Sequence, residues 1–308
     1  MVDQNTHWGD RQAASVSSQR FVARVLQWLT TKLISRYSMS FFEVDTQIEQ
    51  LDDRQWRAEL KSGWRIGTVP NGGYVLAIAG RVLSAALPHK DPLTVNAFYL
   101  APTALGEVIC EVEVLRKGKG TSFAQLRLYQ EGELKLQVMA AYTSLANLQG
   151  PSWSLADAPD YPAWESCHSL EQPSHMEIAQ RVEIRLAQGN SLFDSKQLDG
   201  NGVFGGWIQH KDGAAADPFA LLMFADAMPP PVFTVYGFQS WVPTVELTVQ
   251  VRGTPAPGPL KMRVSTKHLS DGVLEEDGEI WDSNDQLVAV SRQTAKLRIT
   301  HVRDGAPS

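Results

Sequence analysis

One folding plan occurs twice in this chain, and that repetition limits the architectures open to it. Near residue 64 the chain reads Gly63-Trp64, a Pro/Gly-rich turn, an apolar helical stretch and four strand-like runs. Near residue 207 it reads Gly206-Trp207, a polar Gly/Ala/Asp turn, a second apolar helical stretch and four more strand-like runs. The two helices differ in one respect. The first is greasy throughout, whereas the second carries one carboxylate, Asp226, in the middle of an apolar face. Two equivalent halves with one odd charge imply a duplicated scaffold in which one copy carries the chemistry.

At 308 residues, 43% hydrophobic and 20% charged, the chain can bury a substantial core without staples. Its net charge of −6 supplies no basic field to attract nucleic acid. The two cysteines, Cys110 and Cys167, fall in different halves, which argues against a disulfide framework and for a reducing compartment. No apolar run reaches the ~20 residues of a transmembrane helix. Residues 1–40 differ in character: after a polar start, residues 20–36 have helical spacing and only positive charges (Arg20, Arg24, Lys32, Arg36). This is read as a helical arm, with a targeting segment as the alternative. The cytoplasm is the expected compartment, with mitochondrial or peroxisomal location as alternatives.

Periodicity places the first half at 41–146. Strand-like alternation is expected over 41–48 and 55–60, then an irregular loop over 63–73. A buried helix over 74–86 stops at Pro88. Strands follow near 93–100, 107–117, 121–131 and 133–145, with Gly-containing turns that predict hairpins among the last three. Residues 147–180, with four prolines and little periodicity, read as a linker. The second half spans 181–300: strands near 181–186 and 201–210, a helix over 219–227 begun by Asp217-Pro218, and strands near 244–252, 260–269, 273–282 and 286–299. A short tail, 301–308, ends the chain. A buried helix wrapped by a curved antiparallel sheet is the hotdog arrangement, so the expected fold is α+β, a double hotdog.

Familiar catalytic signatures are missing. There is no Gly-x-Ser-x-Gly elbow, no His-Glu-x-x-His and no Cys-x-x-Cys. No metal and no tightly held cofactor is expected. Asp226 stands out because an ionised carboxylate is costly among apolar neighbours, and the macrodipole disfavours it near a helix C-terminus. Thr244, which opens a strand, and Gln293, on a strand face shared with the small residues Ala289, Ser291 and Ala295, are its candidate partners. Acid, hydroxyl and amide converging on one point would orient a water for direct attack on an electrophile. Backbone N–H groups at Asn71-Gly72-Gly73 or at 217–219 would serve a developing oxyanion. Trp64 and Trp207 are read with Asn71, Gly72 and Gly73 as substrate-binding residues. Arg81 is expected at a surface or interface.

The segments Gly63-Trp64 to Tyr74, Phe224-Ala225-Asp226-Ala227, 243–248 and 281–293, taken in order, resemble the acyl-CoA thioesterase II (TesB-like) family of double-hotdog proteins. The resemblance covers roughly residues 41–300. It implies hydrolysis of an acyl-CoA, or of a related acyl-carrier thioester, to free acid and thiol through an Asp/Thr/Gln triad, here Asp226, Thr244 and Gln293. It also implies a homo-oligomer. The alternatives are a hotdog hydratase or dehydratase, which would pair an Asp with a His, and a non-catalytic acyl-ligand binder.

Overall fold

The computed structural model describes residues 39–171, 176–188, 198–237 and 240–299. The basic segment at 20–36 and the tail at 301–308 lie outside the described residues. From Phe41 onward the chain forms one compact unit. A short helix, α1 (Phe41–Asp45), leads into β1 (Ile48–Gln50) and β2 (Gln55–Leu60). Helix α2 (Gly72–Ala86) precedes β3 (Asp91–Tyr99), β4 (Gly106–Lys117), β5 (Ser122–Gln130) and β6 (Glu133–Thr143). The linker region gives β7 (His168–Ser169), and β8 (Val182–Gln188) and β9 (Val203–His210) come next. Helix α3 (Pro218–Phe224) and the one-turn α4 (Phe233–Tyr236) lead to β10 (Thr244–Val251), β11 (Leu260–Ser265), β12 (Val273–Trp281) and β13 (Leu287–Lys296).

These strands run in one antiparallel sheet in the order β1-β2-β4-β5-β6-β3-β10-β13-β12-β11-β9-β8-β7. The order reads alike from both ends towards the seam between β3 and β10. There the first strand after each helix pairs with its counterpart, Leu247 opposite Ala97 and Val249 opposite Val95. This is a double hotdog. The halves share hydrogen bonds as well as a core.

Local chemistry accounts for the elements. Helix α2 is buried along nearly its whole length, from Gly73 to Gly80 and at Val82 and Leu83, so it has no polar face to present. Each fully buried Leu or Ile there contributes about 1.5–3 kcal/mol relative to exposure. Asn71 starts it by accepting the Tyr74 N–H at 3.0 Å, a cap worth about 1 kcal/mol. The β5–β6 turn places Glu131 and Gly132 at φ 51° and 80°, and the turn after Ser270 places Asp271 and Gly272 at 50° and 80°. Two positive φ values in succession give the twist that two-residue hairpins favour.

Two expectations need correction. Residues 41–45 form a helical turn, not a strand: Thr46 Oγ1 donates back to the Phe42 carbonyl, and Asp45 is held by Trp64 Nε1 through its carboxylate and by Tyr74 Oη through its carbonyl. These tertiary partners override a weak alternation. The two Gly-Trp pairs are not equivalent. Trp64 ends a 3₁₀ turn, fully buried and stacked on Tyr74 at 5.0 Å, whereas Trp207 sits mid-strand on the outward face of β9. The linker lies against the outer face of the second half. Arg185 stacks over Trp164 and donates to its carbonyl, Trp207 Nε1 donates to the Pro162 carbonyl, and β7 pairs with β8 to extend the sheet.

Candidate active site

The two helices lie side by side and antiparallel, so the start of α2 meets the chain just beyond α3, and the start of α3 meets Arg81 within α2. Helix α3 stops at Phe224, and Asp226 lies in the turn beyond it rather than inside the helix. That turn touches the start of α2. Asp226 Oδ2 accepts from the Gly73 N–H at 2.9 Å and from Asn71 Nδ2 at 3.1 Å. Asn71 Nδ2 also donates to the Asp226 carbonyl at 2.8 Å, and Asn71 still caps α2 through its Oδ1. The acid next to the C-terminus of its own helix is thus held by the positive N-terminus of the other. The macrodipole that argues against an acid at this place in the sequence works in its favour in three dimensions.

Glycine is needed at 73. A Cβ there would stand 2.4 Å from the Met223 carbonyl oxygen and 3.0 Å from Asp226 Cβ. Tyr99, at the end of β3, closes the same corner by donating its hydroxyl to the Gly72 carbonyl at 3.0 Å. Burial, and then the nearby Asp226 and Glu246, push the Tyr99 phenol well above its ordinary range, so it stays a neutral donor.

Thr244 reaches the acid because of a β-bulge. Thr244 pairs with Ala295 and Glu246 with Thr294, so Val245 is the extra residue on β10. With unbroken alternation Thr244 would share the outward face of Glu246 and Thr248. The bulge turns it to the inward face. There Thr244 Oγ1 donates to Asp226 Oδ1 at 3.3 Å. Gln293, on β13, is 5% exposed on that same inward face, two residues from Ala295 and opposite Leu247. Its side chain makes no hydrogen bond to Asp226 or Thr244 among the described residues, and its buried Oε1 has no donor.

The electrostatics suit a base. Burial raises the Asp226 carboxyl to about 6, opposed by the Gly73 N–H, Thr244, Asn71 and the Gly72 N–H. A carboxylate of that value is ionised at neutral pH and a stronger base than an exposed aspartate.

The remaining sequence candidates are placed differently. The Gly73 N–H is committed to Asp226, so it is not a free oxyanion donor. Residues 217–219 lie at the opposite end of the helix pair. There Asp217 caps α3 by accepting the Ala220 N–H and pairs with Arg81 at 3.0 Å. Arg81 also donates to Thr46 and packs over the rings of Phe42 and Phe219, which makes it a tie between elements. Trp64 is closed in the core, and Trp207 lies on the outer sheet face beneath the linker and beside Lys261. A groove of about 640 Å³ also lies on the outer face, lined by Arg263, Asp277, Glu279 and Arg292 among others, on the side of the sheet away from Asp226.

Two site residues escaped the sequence reading. Tyr99 gave no signal beyond a polar tip at a strand end. Glu276 did give one. It lies at an inward position of β12, between Leu274 and Gly278, and is 6% exposed.

Profiles of two domains match the chain: the acyl-CoA thioesterase N-terminal domain over residues 60–146 and the acyl-CoA thioesterase C-terminal domain over 154–297. A solved structure assigned as a thioesterase II from Thermobifida fusca is 30% identical, covers 84% of this chain and 98% of its own, and superposes with a TM-score of 0.78. A hot dog protein from Alicyclobacillus acidocaldarius shares the fold at 21% identity and a TM-score of 0.77, covering 85% of this chain and 99% of its own. The thioesterase-like protein TwmA of Talaromyces wortmannii is 24% identical over 323 residues, covering 84% of this chain and 92% of that protein. Paired domains in sequence order, two hotdog units fused through one sheet, and relatives matched over nearly their whole length place this chain in the acyl-CoA thioesterase family of double-hotdog proteins.

Proposed function

We propose that the protein hydrolyses acyl thioesters, with acyl-CoA as the reference substrate, by direct attack of a water activated at Asp226. The observation that carries this reading is the acid itself: a carboxylate on the inward face, bonded among the described residues to neutral donors only, at the junction of the two halves. Asp226 removes a proton from water as the oxygen adds to the thioester carbonyl. The carbon–sulfur bond then breaks, giving the free acid and, once the proton is passed to sulfur, the thiol. Thr244 orients the carboxylate through Oδ1, and the Gln293 amide supplies donors for the water or the carbonyl oxygen. Family membership supports thioester hydrolysis. The roles of the three residues rest on their placement.

A hydratase of this fold would pair its acid with a histidine. Among the described residues, the side-chain partners of Asp226 are Asn71 and Thr244, and no histidine hydrogen-bonds to it. The test is release of thiol from acyl-CoAs of graded chain length, repeated with Asp226→Asn. Loss of roughly 10²- to 10⁴-fold in kcat is expected, the range for removing a general base. Turnover undiminished in the variant would remove Asp226 from the mechanism.

A further inference from the structure

Two buried, unpartnered acceptor atoms belong to directly opposed residues of the second-half hairpin. Glu276 on β12 stands directly opposite Gln293 on β13, and both point inward. Directly opposed side chains in an antiparallel pair start about 4.5–5.5 Å apart at Cβ, within reach of one another. Glu276 Oε2 and Gln293 Oε1 are each buried without a hydrogen-bond donor. With Glu276 ionised and the two oxygens turned to each other, two desolvated acceptors would stay unsatisfied, which destabilises the fold, most of all at the charge. A single proton removes both deficits.

We infer that Glu276 is a neutral carboxylic acid in the working protein, that its Oε2–H donates to Gln293 Oε1, and that this bond positions the Gln293 amide with its N–H₂ group towards the Asp226 site. The inference rests on the functional reading above and adds a positioning residue to it. An amide can turn about its last torsion and present either oxygen or nitrogen. Pinning the oxygen decides which. A carboxylate at 276 would instead attract the N–H₂ end and turn the donors away from the site.

The charges around Glu276 favour the neutral form. Burial pushes its carboxyl well above the ordinary range, and Asp226 from the α3 side and Asp277 from the same strand push in the same direction. Asp277 faces outward and is bridged by Arg292 at 2.6 Å, so that cation is spent on the other side of the sheet. No salt bridge reaches Glu276 among the described residues. The first half has no such pair. The facing inward pairs in the middle of its β5–β6 hairpin are Ala124–Ala140, Leu126–Val138 and Leu128–Leu136, all buried and apolar, and its inward polar residues, Ser122 and Gln130, stand at the two ends of β5.

The experiment compares wild type, Glu276→Gln and Glu276→Ala. Glutamine keeps a donor at the same reach, so Glu276→Gln should retain kcat within a few-fold. Glu276→Ala should lose roughly 10- to 100-fold in kcat with little change in KM, as expected for a misplaced catalytic group. In wild type kcat should fall at alkaline pH as the acid ionises, and that limb should vanish in Glu276→Gln. A readout that needs no turnover is the infrared difference spectrum of wild type against Glu276→Gln at pH 8. It should show the carbonyl band of one protonated carboxylic acid. Absence of that band, or a Glu276→Gln as impaired as Glu276→Ala, would overturn the inference. Because the infrared arm is independent of activity, it can fail or succeed separately from the thioesterase reading.

Discussion

The two ends of the helix pair are built to one design and finished differently. At one end Asn71, the cap of α2, meets Asp226 beyond α3. At the other, Asp217, the cap of α3, meets Arg81 within α2. Both junctions put a carboxylate where a helix begins. The Arg81 end neutralises its acid with a guanidinium, and the Asp226 end surrounds its acid with neutral donors. A neutralised acid is a poor base. An acid stabilised only by amides and a hydroxyl keeps its charge available for a proton. Charge balance, more than shape, separates the structural end from the one proposed to react.

The sharpest way to break this comparison is to exchange the caps. Asn71→Asp keeps an N-cap of equal quality but sets a second carboxylate against Asp226 Oδ2 and removes two donors. Hydrolysis should fall by roughly 10²-fold or more, and the acidic limb of the kcat/KM profile should move alkaline of its wild-type position near pH 6. A profile that stays in place would mean the limb belongs to another group. Next in size is Gly73→Ala. Its methyl would press on the Met223 carbonyl, so a loss of about 1–3 kcal/mol in denaturant unfolding is expected, together with lower kcat.

Asp226→Asn should separate stability from activity. A carboxyl whose folded value is raised adds stability that is complete below its unfolded value and lost as pH rises through about 6. The isosteric amide removes that loss. The variant should therefore melt a few degrees above wild type at pH 8, with the difference shrinking towards pH 4. Asp217→Asn makes the quiet end resemble the reactive one. It retains the cap and gives up a partly exposed ion pair, so stability should fall by no more than about 1 kcal/mol and turnover should hold. The smallest effect is expected for Trp207→Phe, since that ring lies outside the sheet. An altered KM for acyl-CoA would return Trp207 to the substrate path.

Much of this was legible before any coordinates. The body of α2 from Tyr74 and its stop before Pro88, the two-residue turns at Glu131-Gly132 and Asp271-Gly272, and the Asp217-Pro218 helix start all follow from chemistry within a few residues, whereas the cap at Asn71 lies inside the stretch read as loop. What required three dimensions was everything across the seam. Asp226 looks misplaced in sequence because its stabilising helix end is about 150 positions away. Thr244 faces inward only because Val245 is inserted, and alternation alone puts it outside. The Gly-Trp repeat suggested an equivalence that the fold does not keep, since one pair ends a turn and the other lies mid-strand. Glu276 was available to a careful reader of strand periodicity, as an acid in phase with Leu274 and Ile280. It was hidden by neighbouring Glu275 and Asp277, which make the stretch look like ordinary solvated charge.

The seam between β3 and β10 has a consequence for inheritance. A copy severed there would bare a long unpaired edge, and the second half would also lose Asn71 and Gly73, the donors to Asp226 Oδ2, keeping Thr244 on Oδ1. Duplication usually frees one twin to drift or disappear. In this molecule the first half furnishes most of the clamp on Asp226, so on the proposed mechanism neither half can be discarded, and changes around Asn71 and Gly73 should be as poorly tolerated as changes to the acid they hold.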